Sequence, residues 1–507
     1  MDINKILNSA QNHLNSGRLN EARNNFLKAL KKLPTNIDIL NILASIELQL
    51  NNKNKALVFL KNSTSIRPDQ PLMLSNMAIC QIELGEFKSA IESMEMAIKL
   101  LPTNATFYFN KAKAHAELQD FENAKKNYLK AIELEPKFEK AYLNIGFLFN
   151  QNNQYDDAIK YYKKLIAINP NSSQAYYNLA IAYDNMRDYE NAKDLYIKTI
   201  SLDENNLIAR FNLSTILLYQ EDYERGWSEF EFRWRNREKP SFCQKIPECI
   251  NLTNIKNLLI WGEQGVGDQI IYSSMLGSID LNKDLTIALD ERLIPIYKRS
   301  FPKFNFISLH DNINEIDFEA QLAIGSLGKF LRNSKESFES QPFSFLKADL
   351  KKTNEFKRRI SKKDKLICGI SWKSKNEKIG HYKSLNLENL LPLLKETNIE
   401  FINLQYGDTE DERNQFFEKN GIEIKNLNGL DKFNDLDGMF ALVDACDFIV
   451  TSSNVTAHIA GSLGKKTFLL VPTYLTSIWY WGSGNKCNWY PNIEILNSLD
   501  NLQSKII

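Results

Sequence analysis

The sequence is poor in the residues that build metal centres and disulfide frameworks. It has only five histidines and six cysteines among 507 residues, and no CxxC, HExxH or zinc-finger spacing occurs. This scarcity argues against both a disulfide framework and structural zinc, and it predicts buried, reduced thiols. The cysteines are Cys80, Cys243, Cys249, Cys368, Cys446 and Cys487.

The sequence also lacks an excess of charge and any long apolar run. Lys and Arg number 63 and Asp and Glu 62, so no global field favours nucleic acid or an anionic membrane. The first residues carry Asp2 and no long apolar segment, and no run of about 18 apolar residues follows. We therefore expect a cytoplasmic protein of roughly two to four domains, without a membrane span or a nucleic-acid partner.

What dominates residues 1–235 is a repeat of 34 residues, visible in three columns. Proline occupies the first column, at Pro34, Pro68, Pro102, Pro136 and Pro170, and Glu204 holds its sixth place. Alanine occupies the second, at Ala22, Ala56, Ala90, Ala124, Ala158 and Ala192, with Gly226 next. The third is bulky and apolar, at Leu19, Phe87, Phe121, Tyr155, Tyr189 and Tyr223, with Lys53 as the exception.

These columns predict a pair of antiparallel helices in each repeat. The small residue permits close approach, the bulky residue fills the groove, and the proline stops the second helix. The pattern resembles tetratricopeptide repeats. The resemblance implies an α-solenoid of six full copies and a partial seventh, stacked as a right-handed superhelix that binds protein on its concave wall.

Asparagine forms a fourth column, on the first predicted helix of the repeats. Its members are Asn76, Asn110, Asn144, Asn178 and Asn212. Side-chain amides can pair with a peptide backbone without reading its sequence. The layout resembles that of the O-linked N-acetylglucosamine transferases, which use such a ladder to bind peptides. The alternative is that each amide satisfies a neighbouring helix end inside the array. The sequence leaves both interpretations open.

After residues 239–240 the pattern changes to short apolar runs separated by amphipathic stretches, which is typical of an α/β fold. Strands are predicted at NLLIWG, LTIALD, FNFISL and AQLAIG, then at KLICGISW, EFINLQYG, DFIVTSS and KTFLLVP. A basic stretch, residues 346–365, separates the two sets and is expected to hold a helix that crosses between them. The predicted fold class is α plus α/β, with the solenoid followed by two Rossmann-type lobes, residues 236–345 and 346–507, and a cleft between them.

The turn WGEQGVGDQII follows the first predicted strand. Gly262 and Gly267 have P-loop spacing, but Asp268 and Gln269 stand where Lys and Ser/Thr would bind phosphate and magnesium. Gly265 and Gly267 form GxG without the third glycine of the dinucleotide fingerprint. Capping and the helix dipole explain an acid at this helix start. The dipole also keeps Asp268 ionised, as a general base must be.

The stretch DFIVTSSNVTAHIAGSLGKKTFLLVP indicates a strand, a polar turn, a helix of small residues and another strand. Hydroxyls and free N–H groups at a helix start, beyond the carboxyl edge of a sheet, form an anion site. The end of the GISWKSK strand is expected to face the same crevice. The predicted donor- and phosphate-binding residues are Ser371, Lys373, Ser452, Ser453, Asn454, Thr456 and His458.

No metal cofactor is expected. Three or four charge-assisted hydrogen bonds, each of ~1.5 to 3 kcal/mol, approach the ~8 kcal/mol of micromolar binding. Asp435-x-Asp437 has the form of a metal-binding DxD, but it precedes an apolar-periodic helix and is predicted to be a helix cap. His381, in the loop IGHYKS, is a further candidate site residue.

Seven stretches together resemble the GT-B glycosyltransferase domain of bacterial heptosyltransferases. They are WGEQGVGDQIIYSSML, DERLIPIYKRSFP, AIGSLGKFLR, GISWKSK, INLQYGD, TAHIAGSLGKK and NWYP. The resemblance implies a nucleotide-diphosphate sugar bound by residues 346–507 and an acceptor on the side of residues 236–345. It makes Asp268 the catalytic base and brings Lys373 to the donor phosphates.

The same resemblance assigns the remaining candidate positions. Glu410 or Glu412, together with Gln405, would hold the ribose or the base, and Gly265 and Gly267 shape the turn.

The sequence departs from that family in three places. Ser453 stands where an acid usually contacts the donor sugar, and Lys383 stands where an arginine is common. Residues 479–480 are Trp-Tyr where a tryptophan-arginine pair is usual. Heptose is therefore doubtful as the donor sugar.

Three functions are compatible with these features. The first is an inverting, metal-independent glycosyltransferase whose repeats present a protein or peptide acceptor. The second is a protein-binding scaffold with a degenerate transferase domain. The third is a transferase that acts on glycan or lipid acceptors.

Overall fold

The structure, a computed structural model, describes residues 2–236, 239–253, 255–279, 284–311, 313, 317–362, 364–374, 380–471, 478–482 and 484–496. For residues 235, 236, 381 and 382 only the backbone is described. The candidate His381 side chain and the last residue of the predicted strand KTFLLVP lie outside the described part. The chain forms two compact units, Met1–Asp203 and Glu204–Ile507.

Unit 1 consists of six helix pairs. They are α1 (Ile3–Asn15) and α2 (Leu19–Lys32), α3 (Ile37–Gln49) and α4 (Lys53–Ile66), α5 (Pro71–Glu83) and α6 (Phe87–Leu100), α7 (Ala105–Glu117) and α8 (Phe121–Leu134), α9 (Glu139–Gln151) and α10 (Tyr155–Ile168), and α11 (Ser173–Asn185) and α12 (Tyr189–Leu202). Every first helix has 13 residues and every second helix 14. The 34-residue period is therefore a structural period.

The columns occupy the positions that the sequence predicts. All six alanines of the second column have no exposed surface, at the contact between paired helices. The bulky column supplies the first residue of each second helix, and α6, for example, ends at Leu100, two residues before Pro102. The predicted helix pairs and the prolines that end them are confirmed.

Unit 2 begins with a seventh helix pair and continues into two parallel sheets. Its helices are α13 (Leu207–Tyr219), α14 (Tyr223–Phe230), α15 (Val266–Ser273), α16 (Ile294–Ser300), α17 (Gly328–Leu331), α18 (Leu350–Ile360), α19 (Gly380–Lys383), α20 (Leu391–Leu394), α21 (Glu410–Asn420), α22 (Leu436–Ala445) and α23 (Val455–Ser462). Its strands are β1 (Asn257–Trp261), β2 (Asp284–Leu289), β3 (Asn305–Ser308), β4 (Ala320–Ala323), β5 (Leu366–Ser371), β6 (Ile399–Asn403), β7 (Phe448–Ser452), β8 (Thr467–Leu470) and β9 (Ile493–Leu496).

The described strands form two sheets in which all pairings are parallel. The first has the order β3-β2-β1-β4, and the second has the order β6-β5-β7-β8-β9. All eight predicted strands are present. The sequence analysis missed β9, a strand of only four residues. The basic stretch holds α18, as predicted, and this helix packs against α22.

The pair α13–α14 belongs to unit 2, whereas the repeat period placed it in the solenoid. Trp227 of α14 has no exposed surface, and its indole nitrogen donates to the carbonyl oxygen of Arg332 at 2.8 Å. Its ring meets Trp479 and Trp489 edge-on, at centroid distances of 5.4 and 6.3 Å. A Cβ at Gly328 would overlap this indole, so the absence of a side chain there makes room for it. Helix α14 thus contributes to the core of the sheet region.

Candidate functional site

The glycine-rich turn and the small-residue helix meet across the space between the two sheets. The turn joins β1 to α15, and α15 packs against α23, which follows β7. A Cβ at Gly267 would lie only 2.8 Å from Cδ2 of His458. Glycine at this position therefore allows the two helices to approach so closely.

Beside this contact lies a cavity of about 270 Å³ with walls from both lobes. Val266 and Gly267 form one wall, and Tyr406, Phe433 and Val455 form the other. The predicted cleft between the two sets of strands is thus present, and it reaches the start of both helices.

Arg292 spans the cleft near this cavity. Its Nη1 donates to the carbonyl oxygen of Phe433 at 3.0 Å, and its guanidinium lies 5.2 Å from the centroid of that ring. Asp290 holds the guanidinium from the other side, with Arg292 Nη2 at 2.7 Å from its carboxylate. The arginine therefore ties one lobe to the other.

Asp268 lies in the first helical turn of α15, and its side chain caps the glycine-rich turn that precedes this helix. Its Oδ2 accepts from the backbone N–H of Gly265 at 3.2 Å. The charge of Asp268 acts on Lys383, whose pKa is lowered by burial and partly restored by this carboxylate. Burial, with the Asp268 charge as the next cause, raises the pKa of the Tyr480 phenol. The predicted base therefore stands among a lysine and a phenol that lie outside its own helix.

Ser371, Gln405 and Asn454 form a buried polar brace across three strand ends. Ser371 Oγ donates to Gln405 Oε1 at 3.0 Å and accepts from Asn454 Nδ2 at 2.8 Å. Gln405 Oε1 also accepts from the backbone N–H groups of Trp372 and Lys373. The polar atoms of these three side chains bond to one another, and their ligand roles stay predictions.

Lys373 and Glu412 are predicted for different parts of the donor but are paired here. Lys373 Nζ lies 2.6 Å from Glu412 Oε2, and the Trp372 indole N–H donates to both oxygens of that carboxylate at 3.2 Å. The Lys373 side chain remains nearly half exposed. The phosphate role of Lys373 and the ribose role of Glu412 therefore require this pair to open.

Glu410, at the start of α21, lines a second cavity of about 260 Å³, whereas Glu412 does not. Arg413 and Lys432 lie in the same lining. Burial, and next the charge of Arg413, lowers the pKa of Lys432 to about 8. Of the two glutamates, Glu410 is thus the one placed beside an open volume.

The other predicted phosphate residues lie at the start of α23. Ser453 Oγ accepts from the indole N–H of Trp481 at 3.0 Å, and Ser452 is fully buried. Thr456 is also fully buried, and its hydroxyl has no hydrogen-bond partner among the described residues. His458 Nδ1 lies 3.0 Å from the hydroxyl of Tyr490, and its ring stacks on Trp481 at 5.0 Å.

Asp435 is a helix cap, as predicted. Its carboxylate accepts from the N–H of Gly438 at 2.8 Å at the start of α22. Asp437 instead pairs with Arg299 and with Lys352. Within the described residues no group of three or more His, Cys, Asp or Glu is arranged to hold a metal ion.

The asparagine column lies on the first helix of the last five of the seven pairs, with Asn212 in unit 2. Asn110 is buried, and its Nδ2 has no partner among the described residues. Asn178 Oδ1 accepts from Gln174 at 3.1 Å. Asn144 lines a cavity of about 200 Å³ with Phe147, whose side chain is half exposed. Neither interpretation of the column is excluded by these contacts.

Sequence reasoning missed the residues that form the far wall of the cleft and those that brace the turn. Tyr406, Phe433 and Arg292 come from three separate segments that have no common spacing. The motif DERLIPIYKRSFP contains Arg292 and was the only signal for it. Arg233, which braces the turn, lies in the seventh repeat, where the sequence indicated only helix packing.

Comparison with known proteins identifies the repeats. Family models described as "Tetratricopeptide repeat" match residues 105–138, 139–172 and 161–194. The N-terminal half of the chain therefore consists of tetratricopeptide repeats, a class of module that typically binds other proteins, which supports a protein-binding role. No helix in the described part of the chain is long and apolar enough to cross a membrane.

Protein FlbA of Caulobacter vibrioides (strain ATCC 19089 / CIP 103742 / CB 15) is 31% identical over 261 residues, and the match covers 47% of this chain and 43% of FlbA. The chain thus matches less than half of that relative's length.

Two similar solved structures are a tetratricopeptide repeat protein from Parabacteroides merdae ATCC 43184 and the C-terminal part of a TPR repeat-containing protein from Cytophaga hutchinsonii. The first is 21% identical with a TM-score of 0.40 and covers 47% of this chain and 94% of that one. The second is 17% identical with a TM-score of 0.40 and covers 46% and 96%.

Proposed function

We propose that this protein is a metal-independent, inverting glycosyltransferase that uses a nucleotide-diphosphate sugar and acts on a protein or peptide acceptor bound by the repeats. The observation that carries the proposal is the cleft cavity. Its lining includes Gly267, the neighbour of Asp268 in the glycine-rich turn, and Val455, the first residue of α23.

In this proposal Asp268 removes the proton from the acceptor hydroxyl while the donor C1–O bond breaks. The new bond joins the acceptor oxygen to C1 from the opposite face, and the nucleoside diphosphate leaves with the bonding electron pair. Lys373, released from Glu412, and the start of α23 stabilise that negative charge. The brace of Ser371, Gln405 and Asn454 holds these strand ends in place before the reaction. The site therefore does not have to reorganise as the negative charge develops.

The second cavity supports a site for the nucleoside part of the donor. Glu410 can accept hydrogen bonds from ribose hydroxyls there, and Lys432 and Arg413 offer positive charge. Because the pKa of Lys432 is about 8, its charge is present at neutral pH and is lost above about pH 8.

Asp268→Asn is expected to lower turnover by ~10²- to 10⁴-fold, because the amide cannot accept the proton. Transfer and donor hydrolysis would be measured over a panel of nucleotide sugars. Binding of the free nucleoside diphosphates, measured by thermal shift, should persist in the variant. Asp284→Asn, at an exposed acid of the same lobe, is the matched control and should retain full turnover. If the wild-type protein turns over no nucleotide sugar, the scaffold with a degenerate transferase domain becomes the better function.

The asparagine column supports an extended polypeptide as the partner of the repeats. Replacing Asn76, Asn144 and Asn178, which are partly exposed, together by Ala removes three amides at ~0.5 to 1.5 kcal/mol each and should weaken binding by roughly 10- to 1,000-fold. An immobilised library of unstructured peptides provides the measurement. The control replaces Asn62, Asn123 and Asn191, which are exposed on second helices. Equal binding by both triple variants would show that the column serves only the array.

A further inference from the structure

A buried guanidinium from the end of the helical repeats holds the glycine-rich turn. Arg233 lies in the 3-10 turn Glu231–Asn236, directly after α14. Its Nε and Nη2 donate to the two oxygens of Glu263, at 2.8 and 2.7 Å. The two side chains are 1% and 0% exposed, so the pair is closed to solvent.

Every N–H group of the Arg233 guanidinium has a hydrogen-bond acceptor in the network around this pair. Nη1 donates to the carbonyl oxygen of Phe230 and to Glu231 Oε1, at 3.0 and 2.9 Å. Nη2 donates further to Ser326 Oγ at 2.9 Å, and Ser326 donates on to Glu231 at 2.7 Å. These hydrogen bonds therefore fix the orientation of the guanidinium.

Glu263 connects this arginine to the ends of two neighbouring strands. It lies two residues after β1, and its Oε1 also accepts from the N–H of Gly325, two residues after β4, at 2.8 Å. A Cβ at Gly325 would overlap that oxygen, so glycine is required there. The carboxylate thus fixes the point where the turn leaves the sheet.

Backbone and side-chain bonds hold the rest of the turn. The N–H of Gly262 donates to the carbonyl oxygen of Ala288 at 2.7 Å. Gln264 adopts a left-handed conformation with φ 58°, which is uncommon for a residue with a side chain. The side chain of Asp268 accepts from the N–H of Gly265. Glu263 and Asp268 are therefore two side-chain anchors of the turn, and Arg233 holds the first of them.

We propose that Arg233 is a positioning residue that, through Glu263, sets the turn so that Asp268 is held toward the acceptor. A buried ion pair adds little net stability compared with apolar or neutral residues of similar shape. Its main effect is then on geometry rather than on folding. The catalytic part of this inference rests on the proposed function.

The test compares two double variants in the full chain. Arg233→Met with Glu263→Gln removes both charges of the pair, so the fully buried carboxylate of Glu263 is not left alone, and Glu231 keeps its bond from Ser326. The control, Arg210→Met with Glu229→Gln, removes a bidentate pair between α13 and α14, with both bonds at 3.1 Å, that does not touch the turn. Hydrogen exchange of the amides in residues 262–268 and the kcat and KM for donor are measured in each.

In the first double variant we expect exchange of the turn amides to rise at least 10-fold and kcat to fall at least 10-fold, with the KM for donor within twofold. The control should match the wild type in all three. Turn exchange within twofold of the wild type, or equal effects in the two variants, would overturn the proposal. If the first double variant does not fold, Arg233→Lys, which keeps the charge but cannot bond both oxygens in the same way, should still raise turn exchange several-fold. Absence of any wild-type turnover would refute the proposed reaction, while the exchange comparison would still decide whether Arg233 sets the turn.

Discussion

A chain that begins at residue 204 should fold, whereas a chain that begins at residue 236 should not. The second boundary is the one that the repeat period indicates, but it removes Trp227, Phe230 and Arg233. Loss of a buried large aromatic side chain costs about 3 to 5 kcal/mol. A buried carboxylate left without its partner, here Glu263, costs a similar amount. Together these losses approach the whole stability of a typical domain, about 5 to 15 kcal/mol.

Tryptophan fluorescence offers a direct measurement of this difference. All seven tryptophans lie at or after position 227, so in the full chain the signal reports on unit 2 alone. We expect the 204–507 chain to unfold cooperatively near the midpoint of the full chain. The 236–507 chain should be aggregated or unfolded at room temperature. In the full-length protein, Trp227→Ala should lower the midpoint as well, and Trp234→Ala, at a partly exposed ring, is the milder control. A 236–507 chain as stable as the 204–507 chain would show that α14 is not part of this core.

Unit 2 should lose stability steeply as the pH falls below about 6.5, because of His458. Burial, and next the nearby charge of Lys383, lowers the pKa of His458 in the folded protein to about 3. Above pH 6.5 the imidazole is neutral in both the folded and the unfolded chain, so it adds no pH dependence. Below pH 6.5 the unfolded chain binds a proton that the folded chain cannot accept. The free energy of unfolding then falls by about 1.4 kcal/mol per pH unit, to a total of roughly 5 kcal/mol at pH 3.

The pH dependence is isolated by comparing variants. Urea unfolding, followed by tryptophan fluorescence at pH 7 and pH 5, should show about 2 kcal/mol more acid destabilisation in the wild type than in His458→Gln. Gln is uncharged at both values, and carboxylates contribute equally to the two proteins. His310→Gln, at an exposed histidine of the same unit, is the matched control and should keep the wild-type slope. An identical slope in His458→Gln would mean that the imidazole can be protonated within the fold.

The same burial bears on the role of His458 in the cleft. Its Nδ1 is held by Tyr490, and its other edge faces Gly267 across the helix contact. A histidine that is neutral at physiological pH offers no positive charge to a diphosphate. In the proposed reaction, positive charge near the leaving diphosphate must therefore come from other groups, such as Lys373, and His458 contributes to the close packing of α15 on α23.

Some of the site could be predicted from the sequence because its signals are local. The cap at Asp435 and the polar start of α23 follow from residues within one turn of each other. The pairing of Lys373 with Glu412 and the bonding of Gln405 to Ser371 could not be predicted in this way. They join segments more than 30 residues apart, and each side chain by itself carries the same polar groups as a ligand-binding residue.

The sequence by itself determined the repeats and the positions of eight strands along the chain. A 34-residue period, recurring alanines and short apolar runs act through neighbouring residues, whose contacts depend little on the rest of the chain. Only the tertiary structure decided where the second unit begins and which groups hold the glycine-rich turn. Trp227 and Arg233 act through partners about 105 and 30 residues away, Arg332 and Glu263, and the folding of the sheets alone brings these together.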